Sequence, residues 1–145
     1  MARYVLDTSA LMTLLLQEDG FHQVVDLLDR SSRLPNSEDY EILIPFVALM
    51  EAEYQLLRRI PEEEVERDIQ IIQAWPVEIS ESNPEWRYHA ARLKAPGRLS
   101  LADAWIASLA MMVDAELVHK DPEFDGIGGL KALRLPYNQR SPEPA

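Results

Sequence analysis

Cysteine is absent from this 145-residue chain. Disulfides and thiolate metal sites are therefore excluded, and the composition fits a reducing compartment. No apolar run approaches the roughly 20 residues that a membrane-spanning helix needs. The N-terminus also lacks the basic and apolar segments of a signal peptide. We therefore expect a cytoplasmic protein that has no membrane partner.

Basic residues are scarce as well. The chain carries 14 Lys and Arg against 25 Asp and Glu, which gives a net charge of −11. Proteins that bind nucleic acid non-specifically usually have the opposite balance, because phosphate neutralisation drives their affinity. A nucleic-acid partner would need bound cations or a local basic patch, for which the candidates are Arg58, Arg59, Arg92, Lys94 and Arg98. Solubility alone is the other explanation for the acidity.

The remaining composition is that of one globular domain, which we assign to residues 1–137. Residues 138–145 contain two prolines among the last four positions and are expected to form a disordered tail. Residues 31–39, which include Pro35 and Asn36, are predicted to be a loop. Helical patterns alternate with short strand-like runs at residues 3–7, 41–44, 76–79, 115–118 and 133–135. This alternation predicts an α/β fold with a parallel sheet of four to five strands, covered by helices on both faces.

The stretch at residues 99–110 is predicted to be an amphipathic helix that begins after Ser100. Asp103 lies three residues after Ser100, where a carboxylate closes a capping box and meets the positive end of the helix. Alternatively, Asp103 faces a cleft. The positions of the other acidic residues bear on this choice.

Four acids from distant parts of the chain can reach one edge of the predicted sheet. Asp7 ends the first strand, Asp121 follows the fourth, and Asp103 begins the helix that leads into the fourth. Glu51 lies on the helix after the second strand, although the helical wheel alone favours Glu53 as the acid on the apolar face. Ligand crevices in parallel sheets lie at the carboxyl ends of the strands. The four acids can therefore share a pocket.

Clustered carboxylates repel one another by about a few kcal/mol per close pair at intermediate dielectric. Oxygen-seeking cations such as Mg²⁺ or Mn²⁺ remove that penalty. The chemistry that suits such a pocket is metal-assisted hydrolysis of a phosphodiester.

Four segments, taken in order, resemble the PIN-domain ribonucleases, especially the VapC-type toxins of toxin–antitoxin pairs. The similarity extends from Tyr4 to about Leu135. The segments are Val5-Leu6-Asp7-Thr8-Ser9, Pro45-(x)5-Glu51-(x)2-Tyr54, Leu99-Ser100-Leu101-Ala102-Asp103-(x)2-Ile106-Ala107 and Asp121-(x)2-Phe124-(x)2-Ile127.

The resemblance implies a three-layer α/β/α fold and an endoribonuclease that depends on Mg²⁺ or Mn²⁺. It implies a homodimer and a cognate antitoxin whose C-terminal segment lies across the site. It also implies that the catalytic and metal-binding residues are Asp7, Glu51, Asp103 and Asp121. The family usually has Thr or Ser two residues before the last acid, where this chain has His119, and Asp125 is therefore kept as an alternative fourth acid.

Two other functions compete with this one. Lys120 and the pair Asp121 and Asp125 are compatible with a phosphatase that uses a strand-end aspartate as nucleophile. Such enzymes place a second Asp two residues after the nucleophile, where this chain has Ser9. The other rival is a catalytically silent module of the same fold. The complete set of four acids argues against it, because a binding module gains nothing from clustering them.

Overall fold

The computed structural model of the chain describes residues 2–33 and 40–138. Within them the strands are β1 (Ala2–Leu6), β2 (Tyr40–Pro45), β3 (Glu78–Ser80), β4 (Glu116–His119) and β5 (Lys131–Arg134). The helices are α1 (Thr8–Leu15), α2 (Phe21–Arg33), α3 (Phe46–Leu57), α4 (Glu62–Gln73), α5 (Pro84–Lys94) and α6 (Leu101–Met112), with a 3₁₀ helix at Pro122–Gly126. No helix in this part of the chain is long and apolar enough to cross a membrane.

The predicted loop at residues 31–39 is partly wrong, because residues 31–33 belong to α2. The amphipathic pattern of α2 keeps Val24, Leu27 and Leu28 buried, and the helix continues to Arg33, beyond the predicted start of the loop at residue 31. Residues 34–39 lie outside the described residues, as does the predicted tail beyond Asn138.

The five strands form one sheet in the order β3-β2-β1-β4-β5, and every neighbouring pair is parallel. The predicted parallel sheet is therefore confirmed. The central strand β1 contributes Val5 and Leu6, both fully buried, which face Leu117 and Val118 of β4 across the register. Near-continuous apolar runs of this kind are typical of strands covered on both faces.

The connections leaving β1 and β4 run in opposite directions across the sheet. The chain passes from β1 to β2 on one side and from β4 to β5 on the other. With right-handed crossovers, this reversal places helices on both faces and leaves a crevice between the carboxyl ends of β1 and β4. The Asp7 N–H donates to the Val118 carbonyl at 3.2 Å and joins the two strands at the edge of that crevice.

An aromatic cluster joins α3, α5 and α6 beside the crevice. Trp86 is 1% exposed and stacks edge-on with Phe46 and Trp105, at ring-centroid distances of 5.5 and 4.9 Å. Its indole N–H donates to the Ser108 hydroxyl at 2.9 Å and to the Trp105 carbonyl at 2.8 Å, so the buried polar atom is satisfied. Removing a side chain this well packed costs about 3–5 kcal/mol. The cluster therefore fixes α6 against its neighbours.

Candidate active site

Asp7 ends β1 and caps α1. Its carboxylate accepts the N–H of Ala10 at 2.8 Å, which is the hydrogen bond expected of an N-cap residue. The Ser9 hydroxyl also donates to both carboxylate oxygens, at 2.7 and 2.8 Å. Asp7 is only 3% exposed. A buried carboxylate is thus held in one orientation by donors from two nearby residues, Ser9 and Ala10.

Glu51 approaches Asp7 from α3. Its carboxylate is half-buried and accepts the Thr8 hydroxyl at 2.7 Å. Glu53, which the helical wheel favoured, is exposed and does not line the crevice. The two residues differ because α1 packs against α3 on the side that carries Glu51. That packing is not visible from the periodicity of α3 alone.

Asp103 lies in the first turn of α6. The Ser100 side chain accepts the Asp103 N–H at 3.1 Å, so the predicted N-cap is present. The Asp103 carboxyl is half-buried at the crevice. The N-cap interpretation is thus confirmed, and the helix start that Ser100 caps also places Asp103 at the cleft.

Asp121 follows β4 and begins the 3₁₀ helix, where its carboxylate accepts the Glu123 N–H at 2.9 Å. Its own N–H donates to the Nδ1 atom of His119 at 3.0 Å. This hydrogen bond requires an unprotonated Nδ1, so the proton of the neutral imidazole lies on Nε2. His119 is fully buried, and burial lowers its pKa. The residue at the position typical of Thr or Ser therefore supports the backbone of Asp121.

One cleft of about 280 Å³ collects all four predicted acids: Asp7, Glu51, Asp103 and Asp121. The alternative fourth acid, Asp125, does not line it and forms an exposed ion pair with Arg134 at 3.1 Å. The spacing of the motifs along the chain thus predicted the residues that the fold brings together.

Glu123 is the acid that the sequence reasoning missed. One carboxylate oxygen from each of Asp103, Asp121 and Glu123 lies within 4.8 Å of the other two. The Asp121-Pro122 pair gave a usable signal, because an N-cap followed by proline starts a helical turn. That turn brings Glu123 back toward Asp121, the residue that caps the turn.

The cleft compensates its own negative charge poorly. The pKa of Asp7 is raised from 3.8 to about 7. Burial is the largest cause, the hydrogen bonds from Ser9 and Ala10 act against it, and the charges of Asp121 and Glu51 add to it. Perturbed pKa values of this size cluster at functional sites.

The pKa of Asp103 is raised from 3.8 to about 7 as well. Burial is the largest cause, followed by a hydrogen bond with the Glu123 side chain and the charge of Asp121. Two carboxyl groups share a hydrogen bond only when one of them is protonated, so a second charge is disfavoured here.

A divalent cation fits this set of donors. The donors are all carboxylate oxygens, which Mg²⁺ and Mn²⁺ prefer, and three of them already lie close together. The charge of Asp121 contributes to the raised pKa of both Asp7 and Asp103, so an added positive charge would favour their ionised forms. A bound cation would reverse both shifts, since an opposite charge favours the ionised carboxylate.

Lys120 links the segments beside the cleft but does not line the cleft itself. Lys120 donates to the Asp19 carbonyl at 2.8 Å and to the Asn138 side chain at 2.9 Å, and lies 4.0 Å from a carboxylate oxygen of Glu18. Asn138 in turn donates to Glu18 at 2.9 Å. Gly20 adopts φ +95° beside them, and a Cβ there would lie 2.8 Å from Pro136. The C-terminal segment and the α1–α2 turn are therefore packed tightly together beside Glu18, which lines the cleft.

Comparison with known proteins agrees with this architecture. The chain resembles the structure of VapBC2 from Rickettsia felis bound to a promoter DNA fragment, with 19% identity over 92% of this chain and 99% of that one and a TM-score of 0.74. It resembles VapBC-1 from nontypeable Haemophilus influenzae with 22% identity, coverage of 91% and 97%, and a TM-score of 0.69. For VapC20 of Mycobacterium tuberculosis, a toxin that cleaves the sarcin–ricin loop, the identity is 16%, the coverage 78% and 85%, and the TM-score 0.58.

No curated protein matches the chain. The sequence profile of the PIN domain, however, matches residues 4–130, which is most of its length and includes all four acids of the cleft. Members of the PIN and VapC families are generally nucleases. The chain therefore belongs to the PIN-domain family.

Proposed function

We propose that this protein is a metal-dependent endoribonuclease and the toxin of a toxin–antitoxin pair. The observation that carries the proposal is the convergence of Asp7, Glu51, Asp103 and Asp121 in one cleft at the switch point of a PIN-domain sheet. A silent module would have no reason to keep buried acids at a pKa of about 7, because such groups destabilise the fold.

The four acids, together with Glu123, are the residues that would hold Mg²⁺ or Mn²⁺. The cation would supply a water of lowered pKa and would neutralise charge on the scissile phosphate. The chain itself supplies orientation. Ser9 directs the Asp7 carboxylate and Thr8 directs that of Glu51, so both are fixed before substrate arrives.

A cognate antitoxin, a homodimer and a cytoplasmic location are further parts of the proposal. Two of the similar structures are VapBC proteins, and this similarity supports an antitoxin partner. Met50, Tyr54 and Leu57 follow one another along α3 and are 54%, 36% and 48% exposed. An exposed apolar stripe of this kind is typical of a protein–protein interface.

The phosphatase alternative finds no support in the geometry. Lys120 is engaged with the α1–α2 turn and Asn138, and Asp125 is paired with Arg134. Neither lines the cleft that contains Asp7. Of the three groups that suggested this reaction, only Asp121 therefore shares the cleft with the aspartate that would have to act as nucleophile.

The test is cleavage of labelled mixed-sequence single-stranded RNA by the purified protein with Mn²⁺, with Mg²⁺ and with EDTA. Asp103→Asn should lower the rate by about a thousand-fold, or ~4 kcal/mol of transition-state stabilisation. Asp114→Asn is the matched control, because Asp114 is exposed beyond the far end of α6 and paired with Lys131 at 2.7 Å. Cleavage that survives EDTA, or an Asp103→Asn protein as active as Asp114→Asn, would contradict the proposal. Turnover of p-nitrophenyl phosphate without RNA cleavage would favour the phosphatase.

A further inference from the structure

The acidic cleft contains one cation among its described lining residues, and that cation is Arg59. The structure separates the five basic residues that the sequence offered as an RNA-binding patch. Arg92 lines a cavity between α5 and α6, and Arg98 lines another beside Gly126. Arg58 lies over the Tyr54 ring at 5.0 Å, outside the cleft. Only Arg59 lies where a bound RNA strand would meet the carboxylates.

Arg59 lies two residues beyond the end of α3, in a turn where its N–H donates to the Leu56 carbonyl at 2.8 Å. Glu51, Gln55 and Arg59 all line the cleft. The last residue of the helix, Leu57, lies about 9 Å along the axis from Glu51 at a rise of 1.5 Å per residue. Arg59 therefore joins the cleft beyond the end of the helix that carries Glu51.

The Arg59 side chain is also uncommitted. Within residues 2–33 and 40–138 no carboxylate forms an ion pair with it, and the residue is exposed. Arg3, Arg30 and Arg134, by contrast, are paired with Glu41, Asp26 and Asp125. A free guanidinium at the end of an acidic cleft has both donors and charge available for an anion.

We infer that Arg59 binds a phosphate of the RNA next to the scissile one, and so sets the register of the strand in the cleft. The inference rests on the proposed ribonuclease function. The chain carries a net charge of −11, so its field repels RNA and a single well-placed cation has a large share in binding. Because the bound phosphate is not the reacting one, Arg59 contributes equally to the ground state and the transition state. It should therefore affect KM and leave kcat unchanged.

The experiment compares Arg59→Gln with Arg58→Gln in cleavage of mixed-sequence single-stranded RNA, with Mn²⁺ saturating. The two substitutions remove the same charge from adjacent residues, and only one of these residues lines the cleft. Arg59→Gln should raise KM about ten-fold with kcat within about two-fold of wild type, and should make the log–log salt dependence of kcat/KM shallower by ~0.7. Arg59→Lys should restore part of the affinity, because lysine keeps the charge and loses the planar fork.

The inference is overturned if Arg59→Gln matches Arg58→Gln in KM, or if it lowers kcat at unchanged KM. The second result would place Arg59 at the reacting phosphate. Equal melting temperatures of the two variants would show that both are folded. Failure of the wild-type protein to cut RNA would instead refute the proposed function, which separates the two conclusions.

Discussion

The two sides of the acidic cleft are built differently. On one side an inner pair, Asp7 and Glu51, receives hydroxyl donors from Ser9 and Thr8 at 2.7 to 2.8 Å. On the other side an outer group consists of Asp103, Asp121 and Glu123, whose carboxylate oxygens lie within 4.8 Å of one another. The inner pair is oriented by the chain, whereas the outer group brings like charges together.

The difference shows which part of the site depends on a cation. Each inner carboxylate keeps its orientation through hydrogen bonds within β1, α1 and α3, so it is arranged before any ion binds. In the outer group Asp103 shares a hydrogen bond with Glu123, which raises the pKa of Asp103. An ion would replace that shared proton. We therefore expect the arrangement of the outer group, unlike that of the inner pair, to depend on a bound ion.

The largest expected effect is on the rate of RNA cleavage, when an aspartate in the cleft is replaced and compared with a nearby aspartate outside it. Asp121→Asn should lower the rate of RNA cleavage by about a thousand-fold, since it removes a charged oxygen from the outer group. Asp125→Asn removes an exposed ion pair with Arg134, which contributes about 0–1 kcal/mol to stability, and should leave the rate unchanged. Single-turnover cleavage at saturating Mn²⁺ measures both. Similar rates for the two variants would show that the 3₁₀ helix contributes no catalytic acid.

The inner pair can be tested through the pH dependence of folding. Asp7 has a pKa of about 7 in the folded protein against 3.8 when unperturbed, so the native state binds more protons between these values. Stability should therefore fall as pH rises from about 4 to 7 in EDTA, by up to roughly 4 kcal/mol. Asp103 has a similarly raised pKa and adds a decline of its own. Asp7→Asn should therefore remove only the part due to Asp7, because asparagine still accepts the Ala10 N–H as an N-cap and carries no charge.

Urea unfolding at several pH values, with EDTA and with Mn²⁺, measures this effect. Mn²⁺ should restore the stability of the wild-type protein near pH 7 and should stabilise Asp7→Asn less, because that variant has one charge fewer to neutralise. Parallel pH profiles for the two proteins in EDTA would mean that Asp7 is ionised in the folded state without a metal, contrary to its raised pKa.

Much of this site could be predicted from the sequence, and the limits of the prediction are physical. Asp7 and Asp103 each follow a recognisable local event, the end of an apolar strand and an N-cap serine. Glu51 could not be separated from Glu53 by periodicity, because α1 packs on the side of α3 that carries Glu51. Glu123 was missed because its approach to Asp103 depends on the turn that follows β4. Contacts between elements, and not local patterns, decided both cases.

A smaller effect is expected from the donors that orient the inner pair. Ser9 donates to Asp7 and also accepts the Lys120 N–H at 3.0 Å. Ser9→Ala therefore removes a donor that orients Asp7 and a hydrogen bond between α1 and the residue that follows β4. The rate should fall by about 10- to 100-fold. Because the Ser9 hydrogen bond lowers the pKa of Asp7, its loss should also move the acidic limb of the pH–rate profile to higher pH.

Thr8→Val is the matched control, since it removes the hydroxyl that reaches Glu51 and leaves both donors to Asp7 in place. It should lower the rate without moving the acidic limb. An unshifted profile for Ser9→Ala would show that the hydroxyl has only a structural role.

The smallest expected effect concerns Glu123, the most exposed member of the outer group. Glu123→Gln should raise the Mn²⁺ concentration for half-maximal cleavage by about ten-fold, while the rate at saturating Mn²⁺ stays within a few-fold of wild type. The same change removes a negative charge beside Asp103, which should lower the pKa of that residue. Glu116→Gln serves as the control, because Glu116 begins β4 at the opposite end of the strand from the cleft. If Glu123→Gln instead lowers the saturated rate as much as Asp121→Asn does, then Glu123 acts in the reaction itself and does more than tune the metal affinity.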